Sequence, residues 1–434
     1  MLPPVAQLAL LGALHTAPLP TTPLFALRGP QLLCPQKRVQ NPRMGSVPQQ
    51  TPPQPLAVTR VIRRDLAGYG GMIALGLLPA VDWISLGGAD AANVARLLYM
   101  FVLSLGLVYL GVRRQDLGLT APISGDRAAL APLFAGVALG GLYALIKYTN
   151  IDPAMAYQLG ACFVGAVATW EVLTPVLGLA RAGALAPLPP EEEAAKDAKA
   201  REEEILSAGE LPALCITVSL IGAYLAGPVS TGGALPLTAF AALNNYIGVS
   251  IALGALGTIA LESFAAAATL LLGLFFYDAF FVFKSDVMIT VATQIEAPAK
   301  FLFAAAREGA NSGRYPFSVL GLGDVVIPGA FIALLREIDL DGLGDRPEPA
   351  DNQPSAYFPA GLAAYAAGLA ATFGANYFTK AGQPALVYIV PALLLTAGVK
   401  AAARSELGQL LGYTSARAAA AAAVAAADND RNGE

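Results

Sequence analysis

Histidine is almost missing from this chain of 434 residues; the single one, His15, lies near the N-terminus. A zinc hydrolase built on His-Glu-x-x-His needs two histidines. A serine nucleophile activated by imidazole needs one beside it in the fold. Neither can be assembled here. Charge is scarce as well: 13% of residues are charged, 56% are hydrophobic and the mean hydropathy is +0.57, the composition of a polytopic membrane protein rather than a soluble domain. A net charge of −4 offers no basic surface for nucleic acid. Of three cysteines, Cys162 and Cys215 fall in apolar runs, and with Cys34 they have the spacing of neither a disulfide framework nor a metal site. They read as small hydrophobes. Aspartate and glutamate are absent from residues 1–64, which hold seven basic residues and much proline. Such a segment cannot bury enough apolar surface to fold alone and reads as a disordered or organelle-targeting tail.

What is abundant is apolar sequence. Ten runs follow the tail, at about 69–88, 97–112, 129–146, 154–179, 211–228, 237–256, 265–283, 317–335, 357–378 and 384–399. Most approach the ~20 residues that cross a bilayer. The first, with Pro79 and Asp82 inside it, is the weakest. Residues 181–210 are charged and read as a solvated helical hairpin tip. The Ala-rich stretch after residue 414 reads as a low-complexity tail. If the nine runs from 97–112 onward each span once, the loops divide thirteen Lys/Arg against seven, with the larger share on the side of the C-terminus. By the positive-inside rule that side is cytosolic.

Two of these runs contain an aspartate, at a cost of roughly 2.5–3.5 kcal/mol for a charge at a helix centre. Asp278 follows Tyr277 in the run 265–283, and Asp324 ends Gly321-Leu322-Gly323-Asp324 in the run 317–335. Asp278 precedes Lys284 by six residues, ~9 Å of helix, and Asp324 follows Phe317 by seven, ~10 Å. On antiparallel helices joined by 284–316, the carboxylates come to similar depth. Two close carboxylates cannot both ionise cheaply and hold one proton between them. One member can then take a proton from water while the other gives one to a carbonyl oxygen. Gly321 and Gly323 leave room for close backbone approach. Taken alone, membrane aspartates are commoner in proton or ion pathways; a proton-coupled transporter stays open, with Glu171 and Glu262 as its further carboxylates. With histidine gone, a carboxylate mechanism is the one left for proteolysis inside a bilayer.

Leu274-Phe-Phe-Tyr-Asp-Ala-Phe-Phe-Val-Phe283 with Asp286-Val-Met288, then Glu296-Ala-Pro-Ala-Lys300, Leu320-Gly-Leu-Gly-Asp-Val-Val-Ile-Pro-Gly329 and Gln383-Pro384-Ala385-Leu386 succeed one another in order. Together they resemble the signal peptide peptidases, within the presenilin-like intramembrane aspartyl proteases. Asn244-Asn245 before an apolar run also fits. The resemblance covers about residues 127–413, which are read as the protease domain. Residues 65–126 are a divergent N-terminal region. Phe281 stands where the family commonly has tryptophan.

The resemblance implies an all-α bundle of nine transmembrane helices, with one possible extra hydrophobic segment in front. It implies catalysis by Asp278 and Asp324, and an active site shaped by Tyr277, Gly321, Leu322, Gly323, Gln383, Pro384, Ala385 and Leu386. No metal and no cofactor is expected. The implied partners are membrane-spanning peptides: signal peptides left after signal peptidase cleavage, and type II membrane proteins. A homo-oligomer is left open. The implied membrane is the endoplasmic reticulum with a cytosolic C-terminus, or another organelle membrane chosen by the tail. A catalytically silent family member that binds membrane proteins for quality control is the other reading of the same resemblance. A bound substrate helix has to unwind, and the 284–316 loop and the Pro-Ala-Leu region are candidate strands to receive it.

Overall fold

The computed structural model describes residues 64–80, 83–115, 121–148, 154–181, 195–228, 232–284, 297–304, 317–343, 357–379 and 383–416. The expected N-terminal tail, His15, Cys34, the Asp286-Val-Met stretch and the Ala-rich tail beyond residue 416 lie outside them. In chain order the elements are α1 (Leu66–Leu77), a 3₁₀ turn (Leu78–Ala80), α2 (Trp83–Arg114), β1 (Ala121–Ile123), α3 (Gly125–Tyr148), α4 (Ala154–Arg181) and α5 (Ala195–Leu225). There follow α6 (Leu237–Thr258), β2 (Ile259–Leu261), α7 (Phe264–Lys284), β3 (Lys300–Ala304), β4 (Phe317–Gly321), α8 (Gly323–Asp341), α9 (Tyr357–Thr379), α10 (Ala385–Ala403) and α11 (Leu407–Leu411). Seven helices among the described residues, α2, α4–α7, α9 and α10, are long and apolar enough to cross a membrane. With α3 and α8 they make nine helices of 19 residues or more.

The run 69–88 is not one helix. Pro79 has no amide to donate, and the chain passes through a 3₁₀ turn there. Its second half opens the 32-residue α2, so the run at 97–112 is the interior of a long helix. The charged stretch before residue 211 likewise continues the membrane helix, since α5 starts at Ala195.

α6 is the axis of the bundle. Its membrane window is 83% buried, against 22% for α5. A helix apolar on all sides is a central one, and α6 packs against α1, α2, α4, β3 and α8. The outer helices present Phe163, Leu211, Phe276 and Phe378 outward, which in a bilayer is the lipid side. α4 and α5 cross through glycine: a Cβ on Gly209 would strike the Thr174 carbonyl oxygen, and one on Gly178 the Ile205 carbonyl oxygen. Small residues at such crossings let backbones touch, which is how helices gain packing energy where no hydrophobic drive remains.

One end of the bundle is lashed together by polar groups. β1 and β2 pair in parallel, and the Glu262 side chain accepts the Gly125 amide at 3.0 Å. The segment 413–415 runs beside the start of α7, with Ser415 N–H donating to the Glu262 carbonyl and Phe264 N–H to the Tyr413 carbonyl. Three carboxylates near the end of α8 each hold a different partner. Glu337 accepts Ser415 Oγ at 2.7 Å and Asp341 accepts the Tyr413 hydroxyl at 2.6 Å. Asp339 accepts the Tyr357 and Phe358 amides that open α9, a capping role that suits a carboxylate at a helix N-terminus. Gly342, at φ 75°, then ends α8.

Candidate active site

The lash fixes a common origin for α7 and α8, which run antiparallel from it. Asp278 lies 14 residues beyond Phe264 and Asp324 lies 13 residues before Glu337. At ~1.5 Å per residue both are about 20 Å from the lashed end. Asp278 is 1% exposed and Asp324 0%, and α7, α8 and α10 pack against one another around them.

Asp324 arrives differently from the expectation. Phe317–Gly321 is a strand, so Asp324 stands in the first turn of α8 rather than two turns inside a helix. A short apolar run with a β-branched residue and two glycines suits an extended segment, and periodicity cannot separate it from buried helix. The position places a carboxylate at a helix N-terminus, where the backbone dipole favours negative charge. Leu322 bridges the two elements: its amide bonds the Ala299 carbonyl and its carbonyl accepts from Val325 and Val326. Gly321, Leu322 and Gly323 are all buried.

Asp278 is tied to α10. Pro384 caps that helix in an extended conformation, and the Leu386 amide donates to Asp278 Oδ2 at 3.3 Å. The Pro-Ala-Leu segment thus brings a free first-turn N–H of α10 to the carboxylate. Ala385 and Leu386 are buried. Gln383 faces the other way: its amide nitrogen donates to Thr379 Oγ1 at 2.8 Å and its oxygen accepts the Tyr388 hydroxyl at 3.2 Å, joining α9 to α10. Tyr277 packs its ring 4.7 Å from that of Phe281, and a Cβ added at Gly136 of α3 would just come into van der Waals contact with it. Its buried hydroxyl has no hydrogen-bond partner among the described residues.

Some neighbours are not among the expected site residues. Tyr365 of α9, fully buried, donates to the Asp324 carbonyl oxygen at 3.3 Å. Gly368, where a Cβ would meet the Ile389 backbone at 2.7 Å, lets α9 press against α10 beside it. Tyr365 is an ordinary aromatic in an apolar run, and nothing in its spacing marks it. The other omission is a role for Asn244 and Asn245, two adjacent amides inside a membrane helix. Buried amides are hydrogen-bonded, so their presence signals specific partners, and both are 0% exposed. Glu171 and Glu262 stand elsewhere. Glu262 belongs to the lash, and Glu171, in mid α4 rather than at a helix end, faces Arg114 at 4.0 Å. Among the described residues no group of three or more potential metal-binding side chains occurs.

The model of the signal peptide peptidase family matches residues 118–417. The chain belongs to this family. As a member of the signal peptide peptidase family it is 43% identical over 180 residues to "Intramembrane protease 2" of Caenorhabditis elegans, covering 40% of the chain and 38% of that protein. It is 37% identical over 170 residues to the "Signal peptide peptidase" of Homo sapiens, covering 39% of the chain and 43% of the relative. Against the human "Signal peptide peptidase-like 2B" it is 36% identical over 182 residues, covering 38% and 29%. The chain thus spans less than half the length of each of these relatives. The family match encloses α7, α8 and α10, and with them every residue expected at the site.

Proposed function

We propose that this family member is an aspartyl endopeptidase that cuts peptide bonds within membrane-spanning segments. The observation that carries the reading is the pair of buried aspartates at equal distance from the lashed end of two packed antiparallel helices. Asp278 and Asp324 share one proton. The ionised member takes a proton from water, the water oxygen attacks the peptide carbonyl carbon, and the protonated member donates to the carbonyl oxygen. Collapse of this gem-diol intermediate breaks the C–N bond: the protonated member gives its proton to the leaving amine while the ionised member takes one from a hydroxyl, which leaves a carboxylic acid and restores the single shared proton. The two carboxyls work as a pair, so neither aspartate is the fixed acid. The Leu386 N–H orients Asp278.

Substrate enters as an extended strand. β3 and β4 pair antiparallel with Leu302 opposite Val319. Leu302 turns both its N–H and its C=O to Asn245, away from β4. In an antiparallel ladder the residue opposite does the same on the other side, so Val319 and Gly321, five and three residues before Asp324, direct their backbone groups outward. An unwound peptide adding to this edge has its freed amides satisfied there. The substrates are type II membrane segments and remnant signal peptides. Purified protein is expected to cut such a peptide in detergent micelles, with inhibition by a hydroxyl-bearing transition-state analogue. Intact substrate after prolonged incubation would overturn the reading. Proton-driven uptake of solute into proteoliposomes is not expected, since Glu262 is engaged in the lash and Glu171 faces Arg114, both apart from the aspartate pair.

The charge asymmetry supports a cytosolic C-terminus, and the family resemblance suggests the endoplasmic reticulum as the membrane. An epitope after residue 434 is expected to be digested by protease added to intact microsomes. Its protection until detergent is added would reverse the orientation.

A further inference from the structure

We propose that Asn244 and Asn245 are positioning residues for substrate: an amide clamp that holds β3, and through it sets where the scissile bond falls. The proposal rests on the protease reading and on substrate docking at the β4 edge. Asn245 makes four hydrogen bonds. Its Nδ2 donates to the Leu302 carbonyl at 2.6 Å and to the Tyr99 hydroxyl at 2.7 Å; its Oδ1 accepts the Leu302 amide at 2.6 Å and Asn244 Nδ2 at 3.2 Å. Two donors and two lone pairs are the whole capacity of a primary amide. Asn244 Nδ2 also donates to the Lys300 carbonyl at 2.6 Å, and the Tyr224 hydroxyl donates to Asn244 Oδ1 at 3.4 Å.

With Leu302 the side chain of Asn245 therefore does what a neighbouring strand would do. It occupies the outer edge of β3 at a place where a side chain, unlike a strand, cannot slide. A slip of one residue in the ladder would turn every side chain over, and the amide bonds add a fixed point against it. Here the clamp pins Lys300 and Leu302 to α6, the buried axis of the bundle. Pairing then pins Val319 and Gly321. The edge that faces substrate is consequently fixed in sequence register to Asp324. It is also the hairpin edge left for a peptide, because the clamp has consumed the other. Neither asparagine touches the reacting atoms; both act through the hairpin.

The test uses Asn245→Ala and Asn244→Ala in the full chain, with a synthetic type II transmembrane peptide in micelles. Products are weighed by mass spectrometry and amide exchange is followed in the peptide covering residues 298–304. Asn245→Ala is expected to raise KM roughly tenfold, the equivalent of about one lost strand contact, with a smaller change in kcat. It is expected to spread cleavage over neighbouring bonds and to speed exchange at Leu302. Asn244→Ala, which loses the Lys300 contact and keeps the Leu302 pair, is expected to do the same more weakly, and it serves if Asn245→Ala does not fold. A general loss of stability would lower active protein without moving the cut. Folded variants that cut the wild-type bond with unchanged KM would overturn the positioning role, and unchanged exchange would overturn the clamp. A wild type that cuts no membrane peptide would instead overturn the protease reading, and exchange at Leu302 would still decide the clamp.

Discussion

Asp278→Asn and Asp324→Asn are each expected to lower cleavage of a transmembrane peptide by about 10³-fold or more, near the upper range for loss of a general acid or base. The two losses should be alike, because an amide can neither take the proton from water nor return it. They should also fail to add: the double variant is expected to be no slower than either single one, since one broken member already disables a pair that works as a unit. Folding is expected to survive. Asparagine is isosteric, and at residue 278 its Oδ1 still accepts the Leu386 amide. At residue 324 the change removes a potential charge from a fully buried site, so the melting temperature should be equal or higher. Product masses from purified variants, beside a thermal unfolding curve, check both halves of the prediction. A folded variant that cut at the wild-type rate would remove the dyad from the mechanism.

The second large effect belongs to an edge rather than a side chain. Val319→Pro deletes an N–H that points away from β3, so the hairpin itself loses no hydrogen bond. Proline is tolerated on strand edges for this reason, and it also blocks addition of another strand. Loss of one backbone bond together with displacement of the next is worth about 2 kcal/mol, or roughly 30-fold in kcat/KM. The loss should appear with long transmembrane substrates. Affinity for a small transition-state analogue that reaches only the dyad should stay within about twofold. Equal loss for both ligands would mean that the hairpin supports the dyad without receiving the peptide.

Much of this site could be read in the chain before folding. The two aspartates stand out because carboxylates in apolar runs are costly. Their equal depth followed from helical rise, although the argument for Asp324 assumed a helix where Phe317–Gly321 is a strand. The depth survived that error because the lash sets the origin for both helices. The hairpin was not legible. Five-residue, mostly apolar segments carry no periodicity that separates strand from helix, and what holds β3 extended is Asn245, 57 positions away from Leu302. The lash was not legible either. Ser415 and Glu337 are 78 positions apart and neither is remarkable in its own neighbourhood. Local pattern reports what a segment prefers; these contacts are decided by what the remote chain brings to it.

The ties of Ser415 to Glu337 and Glu262 and of Tyr413 to Asp341 also carry an instruction about time. A bond cannot form before both its partners have been synthesised. Asp324 is made ninety-one residues before Ser415, yet two of the carboxylates at the far end of its helix, Glu337 and Asp341, find their partners only in residues 413–415. During translation α7 and α8 are therefore already present while the common origin that matches their aspartates in depth is still incomplete. On the protease reading, the setting of the two aspartates is completed late, after the other membrane helices of the nascent chain have been laid down.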